Sequence, residues 1–195
     1  MAVTPSSSTA DLILDAAERR AQSVGFNGFS YADIADELKV TTATIHYHFS
    51  AKSDLGADLL HRYAQRFREA LADIIRREHS SVTQLRAYAR LYEDVLSEGR
   101  LCLCGILAAE YETLPAQMRE QIVAFFASNE AWLANVLQAG RERGELRFAG
   151  ETRDHAMAII CGLEGALLVA RAYGGVTRFR VAAEIVLSGA APAVA

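Results

Sequence analysis

Three prolines, three cysteines and one tryptophan in 195 residues leave several kinds of protein out. Three cysteines are too few, and odd in number, for a disulfide framework. They are Cys102, Cys104 and Cys161. No Cys-x-x-Cys pair or Cys/His cluster at zinc spacing is present, so no metal site and no cofactor are expected. His46 and His48 stand two apart, on different faces of a helix, which is poor metal geometry. No hydrophobic run reads as approaching the ~18 residues of a membrane span. The opening MAVTPSSST has neither the basic nor the apolar region of a secretion signal, and a cytoplasmic protein without a membrane partner is expected. An excess of basic charge is also lacking: the net charge is −4. That removes the whole-chain signature of nucleic-acid binding but leaves room for a small module presenting a few phosphate donors.

What the chain does have is hydrophobic residues (51%) in a helical pattern. Ala, Leu, Glu and Arg dominate and strand-like alternation is not sustained anywhere, so the fold class is all-α. Thr9 is expected to cap a first helix with Ile13, Ala17 and Val24 on its inner face, ended by Gly25. Ser30 caps a second helix, with Asp33 three residues on and Ile34, Ala35 and Leu38 inward. Thr41 caps a third that runs to His48, and a long fourth runs from Lys52 to His79. Further helices are expected over 82–97, 102–113, 116–143, 151–173 and 178–187, with breaks at Gly99, Pro115, Gly144 to Gly150 and Gly174-Gly175. The expected architecture is an N-terminal three-helix domain over 9–51 and a C-terminal helical bundle over 52–190.

The segment SYADIADELKVTTATIHYHFSAKSDL, Ser30 to Leu55, reads as two short helices joined by a tight turn: a helix-turn-helix. On a 100° wheel Ile45 and Phe49 share the inward face of the third helix, and Ala43 and Tyr47 lie opposite, flanked by Thr44 and His46. A small residue, two polar side chains and a hydroxylated ring suit thymine methyls, base edges and phosphates in a major groove. Thr41 and Thr42 bring the helix N-terminus toward phosphate, and Lys52, Ser30 and Tyr31 are placed as further phosphate contacts. His48 is either a contact or structural.

These residues resemble the DNA-binding domain of the TetR family of bacterial transcriptional regulators. The family pattern small-Thr-Leu-Tyr-x-His/Tyr-Phe-x-x-Lys-x-x-Leu is matched by Ala43-Thr44-Ile45-His46-Tyr47-His48-Phe49-Ser50-Ala51-Lys52-Ser53-Asp54-Leu55. His46 stands where the family has tyrosine, and Lys39 stands at a turn position that is often glycine. The resemblance implies a homodimeric repressor, not an enzyme, that binds palindromic double-stranded operator DNA and is released by a small-molecule effector held in the C-terminal domain.

The run Leu101-Cys102-Leu103-Cys104-Gly105-Ile106-Leu107-Ala108-Ala109-Glu110 opens a helix beside Arg100. Cysteine in a first helical turn, near positive charge, has its thiolate favoured; the alternative is that both cysteines are small core residues. This helix is similar to that of electrophile-responsive members of the family, which implies that Cys102 senses reactive electrophiles. Modification, or a bond from Cys102 to Cys161 or to another chain, is the expected chemistry; Cys102 and Cys104 are too poorly placed to join each other. Tyr88, Tyr92, Tyr111, Phe125 (with neighbouring Phe126) and Trp132 are expected to wall the effector pocket. Glu164, inside CGLEGALLVA, is exposed at an edge, paired with Arg171, or lining a polar spot in the cavity. Gly162, Ala166 and Ala170 form a small-residue stripe and Val181, Ile185 and Val186 an apolar one; the resemblance assigns both to the dimer interface. Two competing functions, a thiol-dependent enzyme using Cys102 and a helical adaptor for protein partners, fit less. The first has no acid or histidine placed beside the cysteine by sequence, and the second has no use for a groove-facing Thr44, His46 and Tyr47.

Overall fold

A computed structural model of the chain describes residues 8–189. Residues 1–7 of the opening MAVTPSSST and the last residue of the expected second domain, Ala190, lie outside them. Among the described residues the regular elements are all helical: α1 (Thr9–Val24), α2 (Tyr31–Leu38), α3 (Thr42–His48), α4 (Lys52–Arg77), α5 (Ser81–Ser97), α6 (Leu103–Ala109), a 3-10 turn (Tyr111–Thr113), α7 (Ala116–Glu142), α8 (Thr152–Ala172) and α9 (Val176–Ser188).

Local chemistry sets the helix ends. Ser8, rather than Thr9, caps α1: it accepts from the Asp11 N–H while the Asp11 carboxylate receives the Ser8 N–H. Ser30 and Asp33 repeat this capping box on α2, and Thr41 caps α3 by accepting from the Thr44 N–H. The turn between α2 and α3 places Lys39 at φ 57°, ψ 41°, in the left-handed region. A β-carbon there costs about 1 kcal/mol relative to glycine. Val24 is 57% exposed rather than inward; Leu14, Ala16 and Ala21 join Ile13 and Ala17 on the buried face.

The helices pack as two compact units. One comprises the chain up to Tyr63 together with Leu103–Ile122; the other comprises Ala64–Cys102 and the chain from Val123 onward. Residues 103–122 thus pack with the helix-turn-helix, whereas the sequence division at 51/52 groups them with the bundle. Glu110 is the fastener. Its carboxylate accepts the Phe26 N–H at 2.7 Å and the Asn27 N–H at 3.3 Å, and Asn27 Nδ2 donates to Thr113 Oγ1 at 2.8 Å. Gly25 makes this approach possible: its φ is +83°, and a Cβ would stand 2.3 Å from Glu110 Oε1.

In the second unit α8 packs on α9, and both pack on α5. Gly162 lets α8 and α9 close up, since a Cβ there would meet Val186 Cγ2 at 2.8 Å. Ser81, fully buried, fastens the start of α5: its N–H donates to Glu145 and its hydroxyl to the Val136 carbonyl at 2.7 Å. One sequence expectation needs correcting. The α8 helix has 21 residues and an 18-residue window with a mean hydropathy of 1.4, so by length and composition it is long and apolar enough to cross a membrane. Part of it faces the core: Ile159, Ile160, Leu163 and Leu167 are buried.

Candidate DNA interface and effector site

The α3 helix is short, and its alternation is carried through by packing. Ile45 is fully buried and Phe49 5% exposed, which holds the helix to its unit. Thr41, Thr42, Ala43, His46, Tyr47 and His48 are then exposed, and Thr44 half-exposed. Tyr47 is 85% exposed, the most exposed of the large hydrophobic side chains. His48, ambiguous from sequence, is exposed and sets its ring edge-on to Tyr47 at 5.1 Å. His46 is held: its ring meets Tyr31 at 4.8 Å, and Nδ1 lies 3.3 Å from the Ser50 carbonyl.

Three expected phosphate contacts, Lys52, Tyr31 and Ser30, are bonded within the chain. The Lys52 ammonium turns inward and donates to the carbonyls of Phe26, at 2.5 Å, and Phe29. It also lies over both rings, 4.6 and 4.3 Å from their centroids. Burial holds its pKa below the ordinary range, opposed by the charges of Glu110 and Asp33. Lys52 therefore ties the start of α4 to the loop between α1 and α2. The Tyr31 hydroxyl donates to the Phe49 carbonyl at 3.0 Å and closes the end of α3. Burial, with the nearby Asp54 charge, pushes that phenol up to about 12. The Ser30 hydroxyl is likewise bonded, to Asp33 Oδ2 at 2.6 Å.

In the second unit the expected aromatic residues do gather, around one that sequence inspection left out. Phe67 of α4 meets Phe125 at 5.0 Å, Tyr88 at 6.1 Å and Tyr92 at 6.3 Å. Its signal was available in the stripe Leu60, Tyr63, Phe67, Leu71 and Ile74 at helical spacing. Trp132 stacks on Tyr88 at 5.5 Å, and Phe126 sets its edge to Phe125. The Tyr88 and Tyr92 hydroxyls lie 3.0 Å apart, and Tyr88 donates to Asn129 Oδ1 at 3.3 Å. Asn129, 2% exposed, was also missed; a lone amide in a helix carries no sequence signal. Burial raises both phenols far above their ordinary range. Trp132 also lines an open groove of about 480 Å³ with Arg68, Leu71, Ala72, Ile75, Arg76 and Ser128. Its Nε1 is buried without a hydrogen-bond partner.

Cys102 is 1% exposed and lies one residue before α6, outside its first turn. Its thiol is near enough to Glu164 to hold that carboxyl's pKa down. Glu164 is half-buried on α8. Its Oε1 is shut off from solvent and has no hydrogen-bond partner. Burial pushes the carboxyl up to about 7, with the thiol pulling the other way. Tyr111 and Cys104 belong to the other unit, where Arg119 lies over the Tyr111 ring at 5.8 Å and Cys104 is fully buried. Cys161 is exposed on α8, so a bond to the buried Cys102 is not prepared.

The interface stripes are corrected in part. Gly162 packs against Val186, Ala170 is fully buried, and Ala166 is half-buried, so this stripe seats α8 within its own chain. The outward apolar face of α8 is a different one, made by Met157, Cys161, Leu168 and Val169. Val181 and Ile185 of α9 do face outward, 58% and 68% exposed. Large apolar side chains in one uncovered strip mark a contact surface.

Comparison with known proteins settles the family. The description "Bacterial regulatory proteins, tetR family" matches residues 13–59, and "Tetracyclin repressor-like, C-terminal domain" matches residues 81–186. The chain belongs to the TetR family. A TetR-family regulator of Agrobacterium tumefaciens is similar over 93% of this chain and 97% of its own, with 33% identity and a TM-score of 0.90. One from Legionella pneumophila matches at 29% identity over 94% and 97%, with a TM-score of 0.83. The reduced form of Escherichia coli NemR matches at 25% identity over 95% and 99%, with a TM-score of 0.82. In sequence, the HTH-type transcriptional repressor NemR of E. coli K12 is 23% identical over 84% of each chain. The protein is thus a transcriptional regulator rather than an enzyme, and TetR-family regulators bind operator DNA and small-molecule effectors as dimers.

Proposed function

We propose that this chain is a cytoplasmic homodimeric repressor that reads a palindromic operator with α3. An effector acting on the Cys102–Glu164–Tyr88–Tyr92 cluster releases it. The observation that carries the DNA half is the exposed face of α3, on which Tyr47 stands 85% exposed with Thr42, Ala43 and His46 beside it. Base edges and thymine methyls are the partners such a face fits. The dimer is supported by the uncovered strip of Leu168, Val169, Val181 and Ile185, since a twofold axis lets one such strip cover its own copy. The effector half is supported by the orphaned polar atoms Glu164 Oε1 and Trp132 Nε1, which a ligand can satisfy. The resemblance of the Cys102 helix to that of electrophile-responsive members of the family supports a reactive electrophile as the effector class.

A gel shift with the DNA upstream of the protein's own gene tests this reading. A discrete complex, competed by the same fragment and not by unrelated DNA, is expected, with two protomers per palindrome. Its affinity should fall steeply with salt. A retarded band that unrelated DNA removes equally would overturn operator recognition.

A further inference from the structure

We infer that His46 reads an amino-bearing base, adenine or cytosine, through its Nε2, and selects against guanine and thymine at the position it faces. This rests on the reading of α3 as the operator-reading helix. His46 stands exposed on that helix, one turn after Thr42 and beside the outward Tyr47. Its ring is nonetheless held on two sides. Tyr31 of α2 meets it at 4.8 Å with the ring planes 68° apart, and the Tyr31 hydroxyl is itself fixed on the Phe49 carbonyl at 3.0 Å. The Ser50 carbonyl lies 3.3 Å from Nδ1. A carbonyl oxygen only accepts, so this hydrogen bond requires the proton to sit on Nδ1. In the neutral ring Nε2 is then a bare lone pair. No other hydrogen bond to the ring is made among the described residues.

The tautomer decides what Nε2 meets on DNA. Phosphate oxygens only accept, so the lone pair has nothing to take from the backbone. In the major groove guanine offers acceptors at N7 and O6, and thymine at O4. The donors there are the amino groups on adenine N6 and cytosine N4.

The rest of the exposed face does not fix this sign. Thr42, Thr44 and Tyr47 carry hydroxyls, which both donate and accept, and Ala43 does neither. His48 sets its ring on Tyr47 with no hydrogen bond to fix its tautomer. The tyrosine of the family pattern, in place of His46, would both donate and accept. His46 is thus the one side chain of this face whose hydrogen-bond sign is set by the fold. Because Tyr31 and Ser50 place the ring before DNA arrives, little rotamer freedom is lost on binding.

The test starts from duplexes selected by the full chain out of a randomised pool at about pH 8, above the ordinary histidine range. Each adenine or cytosine of the selected half-site is then replaced by the analogue lacking the amino group, purine or pyrimidinone. Affinities of the wild type and of His46→Phe are compared by fluorescence anisotropy. Phenylalanine keeps a ring beside Tyr31 and removes both nitrogens. At one position per half-site, amino deletion should weaken wild-type binding roughly three- to tenfold and His46→Phe binding by less than about 1.5-fold. Three results overturn the inference: no such position, a wild type that prefers guanine or thymine where His46→Phe does not, or a His46→Phe loss that is uniform across sequences and flattens the salt slope by about 1.8, the mark of one phosphate contact per protomer. Circular dichroism establishes that the variant is folded. If it is not, nitrogen NMR of the wild-type imidazoles decides: a His46 ring protonated on Nδ1 is expected, and one protonated on Nε2 overturns the inference. A pool that yields no common sequence removes operator recognition and this contact with it. A specific site indifferent to His46 removes the contact alone.

Discussion

Lys52→Met separates two roles for a residue that the family motif offers as a phosphate contact. In the structure its ammonium donates to the Phe26 and Phe29 carbonyls and lies over both rings. Charged hydrogen bonds contribute about 1.5–3 kcal/mol each, and each ring about 0.5–1 kcal/mol. The gross loss is therefore roughly 4–8 kcal/mol by the same figures. Two terms offset it: methionine keeps most of the packing, and the desolvation of the half-buried ammonium disappears. A net loss of about 2–3 kcal/mol follows. Urea unfolding followed by circular dichroism measures it. The second arm measures operator affinity against salt. Each phosphate contact contributes about −0.9 to the slope of log K against log salt. A dimer losing one per protomer would flatten the slope by about 1.8. The structure requires that slope to stay unchanged once binding is corrected for the folded fraction. Unchanged stability together with a slope flattened by about 1.8 would refute the inward role of Lys52.

Three other outcomes are expected. Tyr47→Ala should leave the unfolding midpoint within about 0.5 kcal/mol and weaken operator binding at least tenfold, as read by fluorescence anisotropy, because the ring packs against little of its own chain. Ile185→Asp should turn the dimer into a monomer at micromolar concentration in analytical ultracentrifugation and abolish cooperative operator binding. Glu164 should leave a pH signature. Its folded carboxyl sits at about 7 against an ordinary 4.5, so the folded state binds the proton more tightly. The stabilisation that this proton brings is complete below the unfolded value and is lost as pH rises through about 7. Relative to Glu164→Gln, the wild type should therefore lose thermal stability between about pH 4.5 and 7 and then level off; a difference that does not vary with pH counts against a buried carboxyl.

The helical content, the caps at Ser30 and Thr41 and the inward Ile45 and Phe49 were legible in the sequence. Each depends on interactions within about one turn, and a capping hydroxyl or an apolar repeat at helical spacing is written in neighbouring residues. Helix ends were read less well where two candidates stood side by side, as with Ser8 and Thr9. Reading α3 as exposed on one face also required only local spacing, because two buried anchors fix its rotation.

Long-range partners were not legible in this way. The spacing of Gly162, Ala166 and Ala170 announced a close helix approach but not whose helix, and Val186 of the same chain took it. The face left over, with Leu168, Val169, Val181 and Ile185, was decided by which side α9 covered. Lys52 followed the same logic. Its motif position was plain, yet the two carbonyls that bind its ammonium lie 26 and 23 residues away. Cys102 and Glu164 are farther apart still, and nothing in either neighbourhood marks the other. The sequence by itself determined the helices, the reading face and the family pattern, since those follow from chemistry a few residues long. Only the tertiary structure decided which charges are buried, which apolar face is left uncovered and which carboxylate meets the thiol, because each depends on contacts between segments distant along the chain.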